Sequence, residues 1–449
     1  AASVRFIVTF SEPVTGVDAS DFALATTGTL AGASITSVSG DASSYTVTVA
    51  TGAGEGTLRL DVLDDDTIRD AIDHPLGGEG VGDGNHTGDE FYTVDTLPPQ
   101  VVSTARLDTD PTSAASVRFA VTFSENVTGV DASDFAMATT GTLAGVSITS
   151  VSGSGTSYTV TVAAGAGEGT LRLDVLDDDS IRDATTNPLG GTGTANGNHT
   201  GDEFYTVDTV PPQVVSTTRL DTDPTNAASV RFAVTFSENV TGVDTGDFAL
   251  ATTGTLAGAS ITSVSGSGTS YTVTVATGAG EGALRLDVVD DDTIRDALDH
   301  PLGGAGASNG DYTGGEVYAV DTVPPHVVST ARLDADPTSA ASVRFAVTFS
   351  ESVTGVDASD FALATTGTLA GASITSVSGA ASSYTVTVAT GTGEGTLRLD
   401  VVDDDTIRDA LDHPLGGAGA GNGNYTGDEF YTVEKTPLTV TATTPELSG

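Results

Sequence analysis

The chain has no cysteine, no tryptophan and one methionine among its 449 residues, and Lys435 is its only lysine. Without cysteine there is neither a disulfide framework nor a thiolate metal site. With one lysine, a lysine-dependent cross-link cannot recur along the chain. No apolar run approaches the roughly 18 residues of a membrane span. Basic residues are scarce too: 16 stand against 61 acidic ones, for a net charge of −45. Nucleic acid and anionic membrane surfaces are therefore poor partners, because phosphate binding needs a basic footprint. Cations are the natural partners, since self-repulsion on this scale opposes compaction unless counterions or bound metals offset it.

What is present is repetition. The string beginning Ala1-Ala2-Ser3-Val4-Arg5-Phe6 returns at Ala114, Ala227 and Ala340, a constant step of 113 residues. A fixed period of domain length marks an array, and units of this size can fold on their own cores. The expected organisation is 1–97, 98–210, 211–323 and 324–436, with a tail at 437–449. A near-identical array serves reach, number or assembly better than it serves a single active site, so a non-enzymatic role is expected.

The second unit shows the period-2 alternation of half-buried strands. Strands are expected at Val101–Leu107, Ser116–Phe123, Phe135–Leu143, Val146–Val151, Ser157–Ala163, Thr170–Val175 and Phe204–Asp208. In Ser116–Phe123, Val117, Phe119, Val121 and Phe123 share one face, while Arg118, Ala120 and Thr122 share the other. Seven short strands punctuated by Gly, Pro and Asp turns, with no helical period, predict an antiparallel immunoglobulin-type sandwich. The fold class is thus all-β: a tandem array of four seven-stranded immunoglobulin-like sandwiches, the first lacking its first strand. Asp208-Thr209-Val210-Pro211-Pro212 is the expected interdomain joint, kept short and stiff by its two prolines.

The strings Val-Thr-Phe-Ser-Glu-x-Val-Thr-Gly-Val, Asp-Asp-Asp-Thr-Ile-Arg-Asp-Ala, Asn-Pro-Leu-Gly-Gly and Tyr-Thr-Val-Asp-Thr-x-Pro-Pro resemble the Ig-like repeats of large secreted bacterial surface proteins and adhesins. The resemblance covers every repeat. It implies an extracellular location and, in several branches of the family, stalks stiffened by calcium.

Sandwich topology gathers acidic loops at the ends of each unit. The candidate ligands in the first unit are Glu12, Asp18, Asp21, Asp64, Asp65, Asp66, Asp70, Glu90 and Asp95. In the second they are Asp108, Asp110, Glu125, Asp131, Asp134, Asp177, Asp178, Asp179, Asp183, Glu203 and Asp208. In the third they are Asp221, Asp223, Glu238, Asp244, Asp247, Asp290, Asp291, Asp292, Asp296, Glu316 and Asp321. The fourth offers Asp334, Asp336, Glu351, Asp357, Asp360, Asp403, Asp404, Asp405, Asp409 and Glu429. Glu168 joins the set expected between the second and third units. So many carboxylates converging on joints cannot all stay charged and unpaired. Ca²⁺ takes six to eight oxygens from carboxylates and carbonyls, which such loops supply; Mg²⁺ fits less well, and zinc lacks its ligands. The arrangement resembles cadherins, whose acid-lined junctions hold calcium. The other reading is a solvated, salt-adapted surface without ordered metal.

Other candidates carry less. His74, His300 and His413 align with Asn187, a turn position before proline. The sequons at Asn85, Asn126, Asn198, Asn239 and Asn424 are what Thr-rich sequence produces, or glycan acceptors in a glycosylating host. Asp89, Asp202 and Asp428 align with Gly315, so that acid is not indispensable. The segment Leu438–Thr444 falls at the register of a first strand. One expectation is that it fills the first unit of another copy, giving a head-to-tail filament; the other is a stalk segment with no self-assembly.

Overall fold

The computed structural model describes residues 2–435 and Val440. The segment Leu438–Thr444 therefore lies outside the described residues, Val440 excepted. The chain divides into two compact units, Ala1–Val210 and Pro211–Gly449. Each contains two separate clusters of buried apolar side chains: Val14–Val94 and Val117–Val207 in the first, Val230–Val320 and Val327–Val433 in the second.

The fourth repeat shows the sheet order most plainly. One sheet runs Val327–Arg332, Ser342–Phe349, Ser383–Ala389, Ser373–Ala380, and the other runs Phe361–Thr365, Gly395–Val401, Phe430–Val433. Read by sequence position, the strands are 1-2-5-4 over 3-6-7, the order of the constant-type immunoglobulin sandwich. In the second repeat the strands are Val101–Arg106, Ser116–Val127, Phe135–Thr139, Ser147–Ala163, Glu168–Val175 and Phe204–Asp208. Here the fourth and fifth expected strands run together as one continuous element. The second strand continues four residues beyond Phe123, with a register break between Thr122 and Val127. The third stops at Thr139, short of Leu143. The alternation is as the sequence requires: Val117, Phe119 and Val121 are fully buried.

The two sheets are tied by Tyr205. Its ring meets Phe119 edge-on at 5.1 Å. Its hydroxyl donates to Arg118 O at 2.7 Å and accepts from Leu107 N and Asp108 N at 3.0 and 2.8 Å. One oxygen thus closes the turn that follows the first strand. Replacing it leaves the Asp108 amide without its partner, while Leu107 N still donates to Arg118 O at 3.0 Å, so Tyr205→Phe should cost about 2 kcal/mol in chemical denaturation. In the first repeat Tyr92 keeps only the bond to Arg5 O and is 41% exposed. Tyr92→Phe should therefore cost well under half as much.

Candidate metal centre at the joints

In the first unit the chain leaves one sandwich through Phe91–Asp95 and enters the next at Val101, with Pro98-Pro99 between. Both flanks hold this joint. Thr96 N donates to Gly54 O at 3.1 Å, and Gly190 N donates to Pro99 O at 2.9 Å. Asn187 Nδ2 donates to Asp95 O and Leu97 O, each at 3.3 Å.

Three carboxylates converge here, each placed by a different local device. Asp95 ends its strand, directly opposite Glu55 in the ladder. Glu125 lies in the register break of Ser116–Val127, where the chain leaves its pairing. Asp183 sits in the turn after the sixth strand, 3% exposed, held by Thr185 N and Asn187 N at 2.8 Å each. Ligand oxygens of Asp95, Glu125 and Asp183 lie within 4.8 Å of one another. Burial pushes the Glu125 carboxyl above its ordinary range, and the charges of Asp95, Asp183 and Glu55 push it further.

The second unit repeats the geometry with Asp321, Glu351 and Asp409, again within 4.8 Å. Glu351 is pushed up to about 7, by burial first and then by Asp321, Asp409 and Glu281. His413 opposes that rise. Its Nδ1 lies 2.7 Å from Asp409, and its Nε2 lies 3.3 Å from Asn226 Nδ2. The 113-residue step places Asp208, Glu238 and Asp296 at the same positions in sequence.

The remaining candidates serve their own sandwiches. The Asp-Asp-Asp string anchors the glycine-rich loop. Asp177 accepts from Asp179 N and Gly197 N, Asp178 from Ser180 N, and Asp179 from Gly193 N. Asp64, Asp290 and Asp403 hold the loops of the other repeats in the same way. Asp131 and Asp134 cap a single 3₁₀ turn reciprocally, as do Asp18 with Asp21, Asp244 with Asp247, and Asp357 with Asp360. Asp108 pairs with Arg118, Asp110 and Glu203 with Arg106, and the third and fourth repeats copy these pairs. In the first repeat, Asp70 accepts from Ile72 N and His74 N, while Glu12 is exposed. The acids that converge across a joint are therefore few. Glu55 and Glu281, which border them, were not among the expected ligands. Their signal was the Gly-x-Gly-Glu-Gly turn, which starts a strand opposite the terminal aspartate of the last one.

One departure from the repeat leaves a buried polar atom unpartnered among the described residues. Thr104 Oγ1 accepts from Asp202 N, and Thr104 N donates to the Asp202 carboxylate. In the third repeat Gly315 replaces that aspartate. Thr217 Oγ1 is buried without a partner among the described residues, 1.6 Å from where a Gly315 Cβ would stand. Gly315→Asp must turn Thr217 to the Thr104 arrangement. The recovered hydrogen bonds should then raise stability by about 1 kcal/mol, read by calorimetry.

No protein-family model matches the chain, and no curated protein matches it. Among solved structures, it is similar to the S-layer protein rSbsC at 14% identity and a TM-score of 0.23, covering 98% of this chain and 54% of that one. The chain thus spans about half the length of that S-layer protein. It is also similar to invasin, a bacterial integrin-binding protein, at 12% identity and a TM-score of 0.29, covering 95% of this chain and 79% of that one. A structure of domains 1–6 of SbsC matches at 14% identity and a TM-score of 0.17, covering 89% and 64% of the two chains. At these scores none of them bears on what this chain does. Among the described residues no helix is long and apolar enough to cross a membrane.

Proposed function

We propose that this chain is an extracellular structural protein, a spacer of tandem immunoglobulin-like sandwiches whose joints are closed by Ca²⁺. The observation that carries this reading is the convergence at the joint within each unit. Carboxylates from two successive sandwiches meet there, and the central glutamate is held against its own charge. The donor set fits calcium: it is all oxygen, all of it carboxylate, and it comes from a strand end, a register break and a turn. Asp95, Glu125 and Asp183 would hold the ion in the first unit, with Glu55 at their border, and Asp321, Glu351 and Asp409 would hold it in the second. The bound cation supplies charge neutralisation and ties one sandwich to the next. Modules that work outside cells bind Ca²⁺ at about 10⁻⁴–10⁻³ M, the range such partly exposed sites suit.

Repetition without a distinctive site in any one repeat supports a role in distance rather than chemistry. Calorimetric titration of the intact chain with Ca²⁺ tests this reading. Saturable binding whose stoichiometry falls when Glu125 and Glu351 become glutamine supports it. Absence of saturable binding would return the acids to a solvated surface.

A further inference from the structure

A side-chain amide crosses the joint inside each unit, and the two amides come from opposite sides of it. In the first unit the amide belongs to the second sandwich. Asn187 Nδ2 reaches back to Asp95 O and Leu97 O and donates to the Asp183 carboxylate at 2.8 Å. In the second unit His413 stands at that position, and the amide belongs to the third sandwich. Asn226 Nδ2 donates forward to Leu411 O at 2.8 Å and lies 3.3 Å from His413 Nε2. Sequence alignment hides the likeness, because Asn226 aligns with Ser113 and Ser339, and Asn187 with His413.

These bonds fix chemistry as well as position. Leu411 O can only accept, so the nitrogen of the Asn226 amide faces the fourth sandwich, and its second hydrogen meets the lone pair of His413 Nε2. The ring proton then sits on Nδ1, 2.7 Å from one oxygen of the buried Asp409 carboxylate. The other oxygen takes Leu411 N and His413 N at 2.8 and 2.9 Å. Asp183 is held in the same way, by Thr185 N and Asn187 N on one oxygen and the Asn187 side chain on the other. On the near side of the second joint, Thr225 O accepts from Asp321 N at 3.0 Å. Asn226, the next residue, thus links the strand end that carries Asp321 to the turn that carries Asp409, two of the carboxylates that converge there.

We propose that Asn226, acting through His413, is a positioning residue of the second joint, and that Asn187 fills the same role in the first. The amide orients the buried aspartate and ties the two sandwiches together before any cation arrives. Its effect on affinity rests on the calcium reading; its effect on the joint does not. Groups that orient a metal ligand from outside the coordination shell typically cost about 10–100-fold in affinity when removed. Serine at position 226, the residue of the aligned repeats, is too short to reach across. Asparagine at position 413 would supply the first unit's arrangement in its place.

The test makes two measurements on the intact chain. The first reads the joint without metal. Because the chain has no cysteine, spin labels at Ser263→Cys and Ser376→Cys, both exposed, report the distance between the third and fourth sandwiches in chelator. Asn226→Ser should broaden the distance distribution, and adding His413→Asn should narrow it again. The second is calorimetric titration with Ca²⁺ in a chain whose Glu125 and aligned Glu238 are changed to glutamine. There Asn226→Ser should weaken binding by about tenfold, and His413→Asn should restore most of it. Distances or calcium affinity indifferent to Asn226→Ser, or losses that His413→Asn does not recover, would overturn the proposal. No calcium binding before Asn226 is changed would remove the affinity half together with the calcium reading, and the distances would still decide whether the amide ties the joint.

Discussion

Glu125→Gln should raise the unfolding temperature of the first unit in the metal-free chain and remove the further rise that Ca²⁺ brings to that unit. The two effects have opposite signs for one physical reason. Without metal, the Glu125 charge is penalised by burial and repelled by Asp95, Asp183 and Glu55, so neutralising it relieves the folded state. With metal, the same charge is a ligand. At a calcium concentration about 100 times the dissociation constant, a single site contributes about 2.7 kcal/mol to stability, and the glutamine variant forgoes it. For a compact unit of this size that is a shift of roughly 5–10 °C. A glutamate that merely decorated a solvated surface would give one small shift, identical in chelator and in calcium.

The second unit adds a pH dependence whose direction is fixed. The Glu351 carboxyl rises from an ordinary 4.5 to about 7 in the folded chain. The folded state therefore holds this proton more tightly than the unfolded chain does. Its contribution is fully present below the unfolded value and is lost as pH climbs towards the folded one. In chelator, the second unit should lose stability as pH rises from about 4.5 to about 7; Glu351→Gln should flatten that slope, and Ca²⁺ should reverse it.

The other large effect lies in the core. Phe119→Ala should destabilise the second repeat by about 3–5 kcal/mol, because a fully buried ring packed against Tyr205 is removed and the close-packed surroundings cannot collapse to fill the space. Phe6→Ala removes the counterpart ring of the first repeat, which also meets its tyrosine edge-on, at 5.2 Å. That ring is only half-buried, so the cost there should be about 1–2 kcal/mol. Urea unfolding of the two variants would show the difference as unequal loss from the two transitions. Equal losses would mean that burial does not set the cost of removing the two rings.

Much of the fold is legible in the sequence, for identifiable reasons. Strict alternation in Ser116–Phe123 dictates which side chains turn inward, and Phe119 and Val121 do so. The immunoglobulin-type sandwich follows from strand number and turn spacing. The joint carboxylates are harder to read. Glu125 is aimed by a register break, which depends on how two strands pair rather than on either alone. Glu55 is placed only through its cross-strand partner Asp95. Conversely, the most conspicuous acidic string, Asp177-Asp178-Asp179, binds backbone amides of its own loop. Composition cannot separate a carboxylate that meets an amide from one that meets another carboxylate, because both are simply aspartate in a loop.

The most direct measurement is thermal unfolding of the intact chain, at neutral pH, in millimolar Ca²⁺, in millimolar Mg²⁺ and in excess chelator. Joints closed by calcium require a transition raised markedly by Ca²⁺, less by Mg²⁺, and restored to its metal-free position by the chelator. Curves that coincide in all three conditions would contradict calcium at the joints.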